Sequence, residues 1–360
     1  MLVLQYIQKF LFVKSNFFSG LIFMITIKEI AKQLNMSTTT VSNVIHGKTK
    51  EVSPATIKIV EDYLKQVDYV PNISARNLAQ NESKIIGVAL KARADKYENL
   101  LMDPFVSELI GGIEESIRNA GYFMMLYISS DIDKIMRQVS TWNVDGLLLF
   151  GMLGDDGIRV SQKYKKPIVC IDTYTIEGIK HFINVGLDDD KGCFDMVSYM
   201  ISLGHKKIAF LSDNLNGVDY ARFSGYKRAL KEHGIPYSDD MFFKIRPRKE
   251  DVEKSLDEIC ERAKDFDAIM CVSDLYAVQV MCALKDKGVN VPEDISIAGF
   301  DDTLLGQLHR PALTTVHQNV KEKGVLAATT LLDRIKGKKT PKQISLPTTL
   351  VIRDTVKARK

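Results

Sequence analysis

From Lys84 to about residue 301 the chain alternates short apolar runs with longer amphipathic stretches, and this alternation limits its possible folds more than any other feature. The apolar runs are IIGVAL (85–90), YFMMLYI (122–128), DGLLLFG (145–151), PIVCID (167–172), KIAFLS (207–212), AIMCVSD (268–274) and ISIAGFD (295–301). Each has strand length and lacks the strict polar alternation of a sheet with one wet face, so both faces are expected to be buried. Between them lie segments such as VSELIGGIEESIRNA and YARFSGYKRALKEHG, which have the length and period of amphipathic helices. Repetition of this kind builds parallel sheets covered by helices on both sides. These units are too many for one sheet. The body is therefore read as two similar α/β lobes of doubly wound parallel sheets, with the crossover near Val185–Asp188.

Residues 24–70 follow a different rhythm. Ile27, Ile30, Ala31 and Leu34 fall on one helical face, and Thr26 with Glu29 has capping-box spacing. Asn35 suits the left-handed conformation of a tight turn. Ser37 can cap a second short helix through Thr40, Val41 and Val44, stopped near Gly47. Ser53-Pro54 opens a third, with Ile57, Val60, Leu64 and Val67 inward and Pro71 beyond its end. Three short helices, the first two joined by about three residues, form a helix-turn-helix. Residues 71–83 are polar and too short to hold a helix alone, so they read as a hinge to a body spanning 84–360.

Residues 1–23 are apolar and basic, but Lys14, Ser15 and Asn16 interrupt them well short of a membrane span of about 20 residues. No A-x-A-like cleavage site follows, so the segment is read as an extension created by a start codon placed upstream of Met24. The net charge of +4 lies entirely in the first 84 residues: Lys9 and Lys14 add two, and residues 24–84 carry eight bases against six acids. A mildly basic head on a neutral body suits contact with a polyanion. The five cysteines, Cys170, Cys193, Cys260, Cys271 and Cys282, form no CxxC pair. All sit in apolar stretches and are expected to be reduced, buried thiols, which implies a cytoplasmic setting.

TIKEIAKQLNMSTTTVSNVIHG, VSPATIKIVEDYLKQVDYVPN and PNISARNLA, followed in order by DPFVSELIGGIEESIRNAGY, VDGLLLFG, SLGHKKIAFLS, ARFSGYKRAL, VPEDISIAGFDDT and RPALTTVHQ, resemble the LacI/GalR repressors from Met24 to about Thr355. The resemblance implies a sequence-specific repressor that binds pseudo-palindromic operator DNA as a homodimer and is modulated by a small sugar or sugar phosphate. It places Thr38, Thr39 and Asn43 on base edges in the major groove, with Ser37, Thr40 and Ser42 on phosphates. It makes the linker a hinge that enters the minor groove, with Leu78 as the apolar wedge and Asn72, Ala75 and Arg76 matching the hinge pattern. In the body it implies a two-lobed, periplasmic-binding-protein-like clamshell. Its effector pocket would hold Asp172, Ser273 and Asp301 at strand ends, Arg222 as the ligand arginine, and Phe105 as an apolar wall. Ser273 stands where many relatives have Asn, and Val106 replaces a frequent aromatic, which favours a sugar over a stacked base.

Other readings rest on fewer residues. An exported or membrane-tethered sugar-binding protein would use residues 1–23 as a signal but has no use for residues 24–84, and an activator or global regulator shares every motif of the repressor. The chain contains no GxxxxGK loop, GxSxG elbow, HExxH or zinc spacing, so no enzyme activity, metal or cofactor is expected. His205 is read as structural, and Asp188-Asp189-Asp190 as a helix N-cap at the crossover rather than a metal site.

Overall fold

A computed structural model describes residues 25–69, 82–93, 95–96, 98–174 and 183–359. Residues 1–24 lie outside that set, as do the expected hinge residues Asn72, Ala75, Arg76 and Leu78. The chain divides into two compact units, Met1–Asn81 and Glu82–Lys360. Among the described residues, no helix is long and apolar enough to cross a membrane.

The first unit contains α1 (Ile27–Gln33), α2 (Thr38–Ile45) and α3 (Pro54–Gln66). Thr26 and Glu29 form the reciprocal capping box: Thr26 N donates to Glu29 Oε2 at 2.7 Å and Glu29 N to Thr26 Oγ1 at 3.3 Å. Asn35 makes the turn at φ 53°, a conformation that asparagine tolerates better than most residues. Ile30, Ala31, Val41, Val44 and Val60 close a small core against which Ile57 and Leu64 pack.

The second unit opens with β1 (Ile85–Lys91), α4 (Pro104–Asn119), β2 (Phe123–Ser129), α5 (Ile132–Thr141), β3 (Gly146–Phe150), α6 (Gly154–Lys163), β4 (Ile168–Ile171) and β5 (Ile183–Leu187). It continues through α7 (Asp189–Ser202), β6 (Ile208–Ser212), α8 (Gly217–Glu232), β7 (Phe242–Lys244), α9 (Lys249–Ala263), β8 (Ala268–Cys271) and α10 (Asp274–Asp286). The remaining elements are β9 (Ser296–Asp301), α11 (Leu304–Leu308), β10 (Thr314–His317), α12 (Val320–Ile335), β11 (Gln343–Leu346) and β12 (Thr349–Val351). Two six-stranded sheets result, ordered β11-β5-β4-β3-β1-β2 and β12-β10-β9-β8-β6-β7. Every pairing is parallel except that of β10 with β12.

The seven apolar runs all contain strands, with ends shifted by a few residues. Five strands lack a clear apolar run: β5, β7, β10, β11 and β12. The chain leaves the first sheet after Leu187 and passes between the sheets twice more. After β10 it sends α12 back against β3, β4 and β5, and β11 joins the first sheet before β12 rejoins the second.

Close helix crossings in each lobe depend on glycine. A Cβ at Gly112 of α4 would stand 2.4 Å from the Lys321 carbonyl oxygen, and one at Gly225 of α8 would stand 2.0 Å from that of Asp190. Neither helix pair can approach this closely with a larger residue at the crossing. Four cysteines are buried, but Cys282 is exposed on α10, with Sγ 3.8 Å from His309 Nε2, which corrects the expectation that all five are interior. His205 is buried, and its Nε2 lies 3.0 Å from the Lys357 carbonyl oxygen; burial, aided by Arg359, lowers its pKa.

Candidate functional site

In the first unit the cap of α2 consumes two of the candidate hydroxyls. Ser37 Oγ accepts from Thr40 N at 3.0 Å and lies 2.8 Å from Thr40 Oγ1. Thr38 and Thr39 are exposed on the first turn, and Ser42 and Asn43 are half-buried one turn on. None of these four side chains has a hydrogen-bond partner among the described residues, so their polar atoms stay open along the first two turns of α2.

In the second unit Phe105, Asp172, Arg222, Ser273 and Asp301 line one cavity of about 550 Å³ between the sheets, at the carboxyl ends of the strands. This is where open α/β sheets hold ligands. Asp172 and Asp301 follow or end β4 and β9, the third strands of their sheets counted from β11 and β12. Both have positive φ, 51° and 112°, a strained conformation concentrated at functional sites.

A continuous polar chain runs beneath the cavity. Lys323 Nζ donates to both oxygens of Asp172, at 2.9 and 2.8 Å, and to Gln318 Oε1 at 2.7 Å. Gln318 Nε2 donates to Asp301 Oδ1 at 2.6 Å, and Arg222 Nη2 lies 3.4 Å from the same oxygen. Arg222 also donates from Nε to Asp189 Oδ1 at 2.8 Å and from Nη1 to the Val272 carbonyl at 2.6 Å, with its guanidinium 3.6 Å from the Phe300 ring centroid. The Tyr174 hydroxyl completes the line by bonding Asp189. Gly225 lies one turn beyond Arg222 on α8, and the close approach it permits seats Arg222 against the start of α7.

Burial dominates the electrostatics. It pushes the Asp301 carboxyl up to about 6 against the pull of Arg222, and it raises Asp172 despite Lys323. It also opposes the charge on Arg222, but Asp189 and Asp301 outweigh it and the guanidinium is held more firmly charged than usual. Arg222 spends three donors on protein partners and keeps others, so a bound polyol would meet a fixed fork beside carboxylate acceptors.

One expectation needs correction. Asp188 stands at the N-cap of α7 but makes no side-chain cap bond; Asp189 instead pairs with Arg222, and Asp190 with Arg228. Asp274, beside Ser273, does not line the cavity. It is buried, accepting from Thr303 N at 2.6 Å and Thr315 Oγ1 at 2.5 Å. Ser273 caps no helix bond, and its buried hydroxyl has no partner among the described residues. Phe105 packs 5.9 Å from Phe150 and forms part of the cavity wall.

Sequence reasoning missed Asp189, Gln318 and Lys323. Lys323 left a signal: Val320, Lys323, Gly324, Ala327, Ala328 and Leu331 form one buried helical stripe, and a lysine on it requires a buried partner.

Residues 26–72 match the family of bacterial regulatory proteins called lacI, and residues 197–356 match a periplasmic binding protein-like domain. The HTH-type transcriptional repressor PurR of Vibrio atlanticus (strain LGP32) is 33% identical over 344 residues, covering 93% of this chain and 99% of that repressor. Among solved structures, a lac repressor dimer bound to operator and the anti-inducer ONPF aligns at 23% identity with a TM-score of 0.81, covering 93% of this chain and 99% of that one. The transcriptional regulator CelR in complex with cellobiose aligns at 25% identity with a TM-score of 0.69, covering 92% and 99%. With a helix-turn-helix head, a two-sheet body with its cleft at the strand ends, and a similarity that runs nearly end to end, the chain belongs to the lacI family of bacterial transcriptional regulators.

Proposed function

We propose that the chain is an operator-binding repressor that works as a homodimer and loosens its hold on DNA when a sugar-class molecule fills the cleft. The observation that carries this reading is the buried line from Asp172 through Lys323, Gln318 and Asp301 to Arg222, which joins both lobes beneath a cavity rich in fixed donors and acceptors. A molecule bonding Asp301 and Arg222 touches the same groups that tie the lobes together, so binding changes the balance between lobe arrangements. The cellobiose held by the similar regulator CelR supports a sugar as the effector class.

Thr38, Thr39 and Asn43 read base edges, Ser42 meets the backbone, and the Ser37–Thr40 cap presents the helix end to phosphate. The head runs to residue 70 and the body from 84. The hinge at 71–83, with Asn72, Ala75, Arg76 and Leu78, orders in the minor groove only when two heads are held at operator spacing. In this reading the protein binds rather than catalyses, without a cofactor, and works in the cytoplasm, where the four buried cysteines stay reduced. Effector and operator sites coupled in this way typically share about 1–3 kcal/mol.

The test is selection of binding sites from random duplex DNA with the full chain, followed by fluorescence anisotropy on the winning sequence with and without sugars. Enrichment of a palindrome whose affinity falls on adding a sugar is expected. Failure to enrich any sequence would overturn the reading, and so would sedimentation equilibrium showing only monomer on the enriched site.

A further inference from the structure

The two sheets bring matching strand orders to the cleft. The cavity lining follows those orders as three rungs. Asp172 after β4 shares the cavity with Asp301 of β9, Phe150–Met152 at β3 with Val272–Ser273 at β8, and Lys91–Arg93 at β1 with Asn214 after β6. The first rung is closed by Lys323 and Gln318. The third is closed directly, where Arg93 Nη1 donates to Asp213 Oδ2 at 2.7 Å across the lobes. These two rungs are two strand spacings apart, about 10 Å.

The third rung repeats the chemistry of the first. Asp213 is fully enclosed; burial opposes its charge, yet Lys96 and Arg93 hold its carboxyl below the usual range. Asp219 accepts from Asn214 Nδ2 at 2.6 Å and from Ser212 Oγ at 3.2 Å. Opposite charges and an amide are again fixed by one another beside the cavity, as Arg222, Asp301 and Gln318 are at the other end. The middle rung, by contrast, is mostly Phe150, Met152 and Val272.

Two polar stations separated by an apolar waist do not fit one compact polyol. At roughly 30 Å³ per water, a hexose displaces about six water volumes and two linked rings about twelve, so a single ring leaves most of the 550 Å³ unfilled. We propose that the cleft takes a disaccharide lying along the strand ends, with one ring at Asp172, Arg222 and Asp301 and the other at Arg93, Asn214 and Asp219. The assignment rests on the sugar-sensing reading above and adds the size of the ligand and a second subsite.

Thermal shift and calorimetric titration of the full chain would compare cellobiose, maltose, lactose, trehalose and sucrose with glucose, galactose and fructose. At least one disaccharide is expected to bind about 100-fold more tightly than its component hexoses. Arg93→Ala and Asn214→Ala should each weaken that disaccharide about tenfold more than they weaken the hexose, and retained hexose binding reports that the variants fold. A hexose that binds as tightly as every disaccharide would overturn the two-ring assignment and leave sugar sensing intact. Variants that weaken hexose and disaccharide equally would do the same. Absence of binding by every sugar in both sets would overturn both.

Discussion

The head and the cleft solve opposite problems. In the head every described side-chain hydrogen bond is local: Thr26 with Glu29, Ser37 with Thr40, Ser53 with Thr56, each three residues apart. Its open polar groups sit along a short helix, in a unit held by five buried apolar residues. In the cleft the partners are far apart in sequence, with Lys323 reaching Asp172 across 151 residues and Arg222 reaching Asp189 across 33, and they are buried. A recognition surface for a long polyanion can remain wet and locally built, because affinity comes from many contacts on the partner. A sensor for a small molecule has to enclose its ligand, so its polar groups must be satisfied by one another when it is empty.

Arg222→Ala is expected to separate the two regions most sharply. It leaves Asp189 and Asp301 buried without their cation, at a cost of about 3–5 kcal/mol. Chemical denaturation should show this in the body, with the sugar response lost. A loss below about 1 kcal/mol would mean that the buried line is not held by charge. Ile30→Ala makes the reciprocal cut: removing a fully buried side chain from so small a core costs about 2–5 kcal/mol. Hydrogen exchange should show the head melted and operator binding lost, while sugar titrations of the body stay unchanged. If both fall together, the two regions are not independent units.

Asn43→Ala tests the proposed base contact and is expected to act on recognition alone. It should cost about 1–3 kcal/mol at one base pair of the site and little on unrelated DNA, as read by competition binding. Asp274→Asn is the mildest. Burial, reinforced by Asp301, pushes the Asp274 carboxyl from 3.8 up to about 7, so the folded body holds a proton that the unfolded chain releases. That contribution is complete below the unfolded value and lost as pH rises through about 7. Melting curves across this range should therefore decline less in the variant than in the parent protein.

The difference between the regions also decided what the sequence disclosed. The helix caps, the turn at Asn35 and the inward faces of the head are local patterns, and they appear in the structure where their spacing placed them, except that Val67 caps the end of α3 and does not join the core. The strands with long apolar runs were equally plain. β5 carries Asn184, whose side chain accepts from Thr173 N, β10 opens with two threonines and β12 is only three residues long, so none advertises a buried strand. In the cleft, acids at strand ends drew notice through their position. Nothing near Asp189 in sequence shows that its partner is Arg222, because that pairing exists only once Gly225 lets α8 settle on α7.

The three passages between the sheets constrain how the body can move. They run from β5 to α7, from β10 to α12 and from β11 to β12, and the first and third are joined where Asp188 N donates to the Leu346 carbonyl at 3.1 Å. A single tether would let the lobes swivel freely, whereas three covalent pins leave one easy motion, a swing about the line through them. Neither lobe is a continuous stretch of chain, so cutting after Leu187 would strip the first lobe of the helix and edge strand that complete it.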